Sequence, residues 1–362
     1  MRIAFDYQIF CHQSYGGISR YFVRLAEELI TLKQDIEIFA PIHHNNYLQE
    51  LSSDVVNGYK LPGYLPKTNH IMLYLNYFLS TNLINKWKPQ LVHETNYSKL
   101  ISTPKYCPSI ITIFDMIHEL FPKNPHDNTS QLKKEAVKRS SHIICISENT
   151  KQDLINYFGT EKNKISVVHL GCSIFKNNKY NIFVPTKPYI LYVGRRSGYK
   201  NFKLFIKAIS SSNRIKKEFN IIAFGGGKFT DIENNLFLEL GLRSDQVIQI
   251  SGDDALLGLV YSQAAALVHP SLYEGFGLSP LEAMVYDCPV ISSNTSSMPE
   301  VIGCAGEYFD PNIAEDIVAA TERVVFSPER SQELIMRGKK RLELFTWNDC
   351  AKKTLNVYKS IV

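Results

Sequence analysis

Short apolar runs recur along the chain, each ending in a polar or glycine-containing break and followed by a longer stretch with apolar residues three and four positions apart. Residues 2–7 open as a strand. Gly16-Gly17 then leads into a stretch where Ile18, Tyr21, Phe22, Leu25, Leu29 and Ile30 share one helical face. Further runs predict strands at residues 35–40, 90–94, 109–114, 142–147 and 164–170, with helices near 70–87, 129–141 and 148–158. The pattern lapses at 175–188, which is polar and bounded by proline, as a linker would be. It resumes with strands at 189–194, 220–224, 246–250, 265–269 and 289–293, and helices near 201–213, 232–241 and 255–263. A last helix follows Phe345-Thr346-Trp347, with Thr346 as its cap and Ala351, Leu355 and Tyr358 on one face.

Repeated strand-helix units predict an α/β fold whose parallel sheets are covered on both faces, with ligands at the carboxyl ends of the strands. The chain therefore divides into a first Rossmann-like domain over 1–180, a second over 181–345, and a final helix, 346–362. The glycines at 16–17 lack the G-x-G-x-x-G spacing of a dinucleotide fingerprint, which argues against an oxidoreductase.

Composition narrows the class. At 362 residues, 44% hydrophobic and 21% charged, the chain suits two folded cores and not disorder. Its seven cysteines form no C-x-x-C pair and several lie in apolar runs, which suits reduced thiols and a cytosolic setting. Met1-Arg2-Ile3-Ala4-Phe5-Asp6 does not read as a signal peptide, and residues 71–87, interrupted by Asn76, Asn82, Asn85 and Lys86, do not read as a membrane span. A net charge of +5 is too small to indicate a nucleic-acid partner.

The densest chemistry lies in Pro270-Ser-Leu-Tyr-Glu274-Gly275-Phe276-Gly277-Leu278-Ser-Pro-Leu-Glu282. A strand runs into a glycine loop and then a helix start, with Pro280 read as the first helical residue and the amides from Glu274 to Gly277 left to face a ligand. Ser279-Pro280-Leu281-Glu282 also reads as a capping box, so Glu282 has two readings: a cap or a ligand contact. Glu274, inside a turn, has no helix to cap. A second loop, Gly194-Arg195-Arg196-Ser197-Gly198-Tyr199-Lys200, follows the strand at 189–194 and gathers the cations of a diphosphate clamp.

Together these segments resemble the retaining GT-B glycosyltransferases of family four. That resemblance implies two Rossmann-like domains facing each other across a substrate cleft, a final helix, 346–362, that returns to the first of them, and transfer of a hexose from a nucleotide diphosphate sugar. It places Glu274 beside the transferred sugar, Glu282 on the ribose, and Gly275, Phe276, Gly277 and Leu278 in the donor loop. Arg195 and Lys200 fall on the family's clamp pattern, with Arg196 an alternative for the arginine. Gly16 and Gly17 either form a tight turn or approach the donor phosphates or the acceptor. Gly225-Gly226-Gly227 needs no more than positive φ to explain it, and Ser251-Gly252-Asp253-Asp254 falls near the base. No D-x-D pair is present, so no metal and no further cofactor is expected.

The stretches Tyr192-Val-Gly-Arg-Arg and Asn294-Thr-Ser-Ser-Met-Pro-Glu300 most resemble bacterial surface-polysaccharide mannosyltransferases, which implies GDP-mannose as donor and a glycan or lipid-linked acceptor. A nucleotide-sugar epimerase and an inert nucleotide-sugar-binding scaffold are the rival readings. Where relatives end a strand of the first domain with Ile-His-Asp, this chain reads Ile113-Phe114-Asp115, and His118, read as lying in the loop beyond the strand, either takes a catalytic place by contacting the transferred sugar or the acceptor side or is a loop histidine without chemistry. Lys133, Lys134, Lys138 and Arg139 on one helix offer a peripheral contact with the inner membrane surface, against the plainer reading of a solvated face.

Overall fold

The computed structural model describes residues 1–122, 127–172, 185, 187–243 and 245–362. Among these the chain forms two compact units, Met1–Gly171 with Trp347–Val362, and Cys172–Thr346. Most of the linker expected at 175–188 lies outside the described residues.

The first unit is built on β1 (Arg2–Phe5), β2 (Asp35–His43), β3 (Val56–Lys60), β4 (Leu91–Glu94), β5 (Ser109–Ile113), β6 (His142–Cys145) and β7 (Ile165–Val167), in the order β3-β2-β1-β4-β5-β6-β7. The second carries β8 (Tyr189–Val193), β9 (Asn220–Phe224), β10 (Val247–Ile250), β11 (Ala266–His269), β12 (Val290–Ser293) and β13 (Gly306–Phe309), in the order β10-β9-β8-β11-β12-β13. The pairings within both sheets are parallel. Central strands such as β5 and β9 are buried along their whole length, because helices cover both faces. In the second unit the core joins Ile190, Ile221 and Val268 of the sheet to Phe205 and Ile209 of the helix Phe202–Ser211 and to Ile317 and Val324 of the helix Ala314–Val325.

Two local findings correct the sequence reading. The helix Thr129–Arg139 does not present four cations to solvent. Lys133 is 1% exposed, with its ammonium 2.7 Å from the Glu119 carboxylate, and Arg139 is paired at 2.5 Å with buried Glu94. Only Lys134 and Lys138 remain exposed, so this face is neither a four-cation patch nor a wholly solvated one. His118 lies not in a loop but in the short helix Ile117–Leu120.

The helix Trp347–Lys359 belongs to the first unit. Its entry depends on Gly171, where a Cβ would stand 2.4 Å from the Trp347 amide nitrogen. Farther along, the Tyr358 hydroxyl meets His93 Nδ1 at 2.6 Å while His93 Nε2 meets the Thr112 hydroxyl at 2.9 Å. One fully buried imidazole thus ties β4, β5 and the last helix together. Burial pushes its pKa from 6.5 down to about 3, so it is held neutral.

His93→Ala should lower the stability of this unit by about 3 kcal/mol, since it opens a cavity and takes from the buried Tyr358 hydroxyl its partner, while the Thr112 hydroxyl keeps only the Tyr21 hydroxyl at 3.4 Å. Both tryptophans, Trp87 and Trp347, lie in the first unit, so urea unfolding followed by tryptophan fluorescence reads it selectively. Because the unfolded imidazole takes up a proton near pH 6.5 and the folded one only near pH 3, the His93 contribution is complete above 6.5 and is lost as pH falls towards 3. An unchanged unfolding midpoint in the variant would show that the imidazole is not the tie.

Candidate active site

At the carboxyl edge of the second sheet, neighbouring strands β8 and β11 deliver the two sequence-predicted segments to one place. The chain leaves β8 through Gly194, at φ 125°, passes Arg195 and Arg196, and makes a single tight turn at Gly198–Lys200. The loop after β11 is fastened to it by the Leu272 amide, which donates to the Tyr199 carbonyl at 2.7 Å. Lys200 Nζ then lies 2.5 Å from Glu274 Oε1. His269, the last residue of β11, places Nε2 3.1 Å from the same oxygen but without the alignment of a hydrogen bond.

Burial alone would raise the Glu274 pKa. The Lys200 charge and the neighbouring His269 more than offset it, and the carboxyl is lowered from 4.5 to about 2. Glu274 is therefore a carboxylate at any physiological pH. Its Oε1 faces Lys200 and His269, whereas Oε2 has no partner among the described residues.

The loop after β11 is held from behind by two serines to which the sequence reading gave no place in the site. Ser296 Oγ accepts from the Glu274 amide at 2.9 Å, and Ser297 Oγ donates to the carbonyls of Glu274 and Phe276 at 2.9 and 3.0 Å. The Glu274 amide is thus engaged, contrary to the expectation of a free row of amides. Phe276 is buried with its ring edge-on to Phe345. Gly277, at φ 105°, takes the left-handed conformation that starts the next helix.

That helix runs Leu278–Val285, earlier than expected, so Pro280 is its third residue and not its first. Ser279 is not its cap and no side chain caps it, which removes the capping-box reading of Glu282. Glu282 is instead buried, and its Oε2 accepts from the Tyr261 hydroxyl at 3.3 Å.

The two arginines of the clamp loop diverge. Arg195 is exposed, and among the described residues its guanidinium enters no ion pair. Arg196 turns inward. It pairs with Glu233 at 2.7 Å, donates to the carbonyls of Gly225 and Lys228 at 2.9 Å, and stacks 4.7 Å from the Phe229 ring. Its donors are largely spent, leaving Arg195 as the available guanidinium. Gly225, Gly226 and Gly227 all have positive φ, as a bare turn demands, and a Cβ on Gly226 would meet Arg196 at 2.6 Å. A cavity of about 980 Å³ opens beside this loop, with Arg195, Lys203 and Lys228 among its lining residues. In the loop expected near the base, Asp253 caps the helix Asp254–Gln263 by accepting from the Leu256 amide.

In the first unit, Gly16 precedes the helix Gly17–Thr31 with an extended backbone. It is glycine for space: the Gln13 carboxamide, which accepts from the Ser19 amide, would stand 2.3 Å from a Cβ. Gly17 faces open space. His118 is 42% exposed and bonded through Nδ1 to the Asp127 carboxylate at 2.9 Å. Phe114 packs edge-on against Tyr21 and Phe22, an apolar filler. Asp6 and Glu94, just past β1 and at the end of β4, form a buried acidic pair absent from the sequence reading. Burial, with Glu94 adding to it, pushes Asp6 up to about 7, and the Thr95 amide and hydroxyl hold its Oδ1 at 2.9 and 2.5 Å.

Two family models match the chain consecutively, "Glycosyltransferase Family 4" over residues 15–174 and "Glycosyl transferases group 1" over residues 174–341. The O-antigen chain mannosyltransferase B of Escherichia coli is 24% identical over 95% of this chain and 96% of its own length. The O-antigen chain mannosyltransferase RfbU of Salmonella typhimurium is 25% identical over 86% of this chain and 88% of its own. Among solved structures, sucrose-phosphate synthase from Thermosynechococcus elongatus superposes with a TM-score of 0.77 at 20% identity, over 99% of this chain and 98% of that one.

Replacing Lys200 with methionine should raise the Glu274 pKa from about 2, because His269 alone is then left to oppose the effect of burial. Carbon-detected NMR of labelled glutamate would follow that titration. In the unsubstituted protein the pair stabilises the fold fully above pH 4.5, and the contribution is lost as pH falls towards 2. A Glu274 titration unchanged in Lys200→Met would dissolve the pair.

Proposed function

The chain belongs to the glycosyltransferases of group 1 and family four, retaining enzymes of the GT-B fold, and from that membership we propose that it moves mannose from GDP-mannose to a glycan or lipid-linked acceptor in surface polysaccharide synthesis. The observation that carries the site assignment is the buried Lys200–Glu274 pair with His269 beside it, at the carboxyl edge where β8 meets β11. Mannose is favoured because two relatives aligned over most of their length are mannosyltransferases by name.

Each residue then has a task. As the bond from the sugar to the diphosphate lengthens, negative charge builds on the departing nucleotide. Lys200 has one ammonium donor on Glu274 and two left for phosphate oxygens, and Arg195 supplies a forked guanidinium from the same loop. No metal is needed to carry that charge. Glu274, held ionised, accepts hydroxyls of the transferred sugar through Oε2. Glu282, steadied by Tyr261, takes the ribose hydroxyls. Gly275, Gly277 and Leu278 let the backbone approach the donor, while Phe276 anchors the loop. Arg196 shapes the clamp without touching the ligand. In the first unit, Gly17 permits close approach of a phosphate or acceptor and His118 serves the acceptor side. The acceptor hydroxyl attacks on the face that the diphosphate leaves and passes its proton to the departing phosphate oxygen, which retains configuration.

Glu282→Gln should weaken GDP-mannose binding with turnover at saturation little changed, whereas Glu274→Ala should lower turnover mainly, since a ribose contact is equal in ground and transition states and a contact with the reacting sugar is not. Calorimetric titration with GDP-mannose and UDP-glucose, beside steady-state rates, separates the two effects and tests the donor; tighter binding of UDP-glucose would reassign the sugar.

Activity should survive EDTA, and Lys200→Ala should slow transfer by about tenfold or more through loss of a charge-assisted contact. Activity lost on chelation and restored by Mn²⁺ would replace the cationic clamp with a metal.

A further inference from the structure

The helix Asn69–Trp87 is built inside out. Its buried polar residues Asn76 and Ser80 face β2. Asn76 accepts from the Ile42 amide and donates to the Ile42 carbonyl, both at 2.8 Å, and Ser80 donates to the Phe39 carbonyl at 3.3 Å. The cause is in the strand: β2 shifts register against β3 between Phe39 and Ile42, and side chains from the helix satisfy the backbone groups thereby freed.

The outward face is apolar. Ile71, Tyr74, Leu75, Phe78 and Leu79 follow the i, i+3, i+4, i+7, i+8 spacing of a single stripe and are all exposed, Ile71 at 58% and Phe78 at 61%. Leu65, in the turn before the helix, is 74% exposed. A contiguous exposed stripe of this kind marks an interaction surface. It is not a span, since no described helix is long and apolar enough to cross a membrane.

Charge identifies the occupant. Residues 55–93 contain no Asp or Glu, while Lys67 stands before the stripe and Lys86 and Lys88 beyond it, all exposed. A second copy seated on the same face would bring these lysines against their own equivalents. We infer that the protein docks on an anionic lipid bilayer surface through the outer face of this helix. The aliphatic and aromatic side chains enter the boundary between headgroups and acyl chains, and the flanking lysines meet lipid phosphates. The inference stands apart from the transfer chemistry proposed above, and the basic helix Thr129–Arg139 has no part in it.

Flotation of the full chain with vesicles tests it, using phosphatidylcholine alone and phosphatidylcholine with phosphatidylglycerol. The protein should float with the anionic vesicles, less so at high salt, and little with the neutral ones. Ile71→Ser with Phe78→Ser should lower the bound-to-free ratio by about tenfold, as expected when buried apolar area sets the affinity. Lys67→Glu with Lys86→Glu should weaken binding to anionic vesicles alone. All four positions are exposed, and circular dichroism with thermal melting checks that the fold is kept. Absence of flotation, equal binding to both vesicles, or binding indifferent to the Ile71 and Phe78 changes would overturn the inference. So would a concentration-dependent dimer in sedimentation velocity that the same double variant abolishes, since the stripe would then belong to a second copy.

Discussion

The second unit is arranged so that two opposite charges can be kept close together and mostly out of water. Lys200 and Glu274 are 19% and 12% exposed, and burying either alone would cost several kcal/mol. Their separation of 2.5 Å is maintained by parts that carry no charge: neighbouring strands, a backbone bond from one loop to the other, and two serine hydroxyls behind the turn. The pair in turn fixes which oxygen of Glu274 is occupied and which is open. Stability and the proposed chemistry therefore draw on the same contact, and a charge on a ligand phosphate would enter an existing network instead of creating one.

The same economy explains two adjacent arginines with opposite fates. Arg196 is spent on the interior, where Glu233 and two carbonyls hold the glycine turn Gly225–Gly227 against the clamp loop. That investment leaves Arg195 projecting from a rigid base. In the first unit the corresponding edge is tied by acids: Asp6 is gripped by Gln8 and Thr95, and Glu94 by Thr103 and Arg139.

Much of this was legible in the sequence, for a physical reason. Strands buried on both faces must be apolar throughout, so β5, β8, β9 and β11 show as runs. The strands overlooked were β3 and β13, each at a sheet edge with one neighbour; β3 is half-buried, carries Asn57 and Gly58, and has no run to display. The helices Ala314–Val325 and Pro328–Leu342 were also overlooked, although Ser327-Pro328 is a readable start: Ser327 accepts from the Arg330 amide and Pro328 opens the helix. Glu274 and Lys200 were legible because motif spacing encodes them. His269 was not, since a histidine ending an apolar run carries no local sign that a carboxylate five residues later folds back on it. The inward turn of Arg196 was equally hidden, because its partner Glu233 lies on a different strand-helix unit.

The division of the chain bears on how it is made. Residues 172–346 form one uninterrupted unit, whereas the other unit is written in two pieces, 1–171 and 347–362. During synthesis the second unit can complete its core as soon as its own residues have left the ribosome. The first cannot. Tyr358 must arrive before His93 has its partner, and Trp347 before the space over Gly171 is filled. The earliest-made half of the protein is thus the last to finish, and until the last helix packs on the helix Gly17–Thr31, as Trp347 does beside Tyr21, the apolar residues it will cover stay open to chaperones or to aggregation.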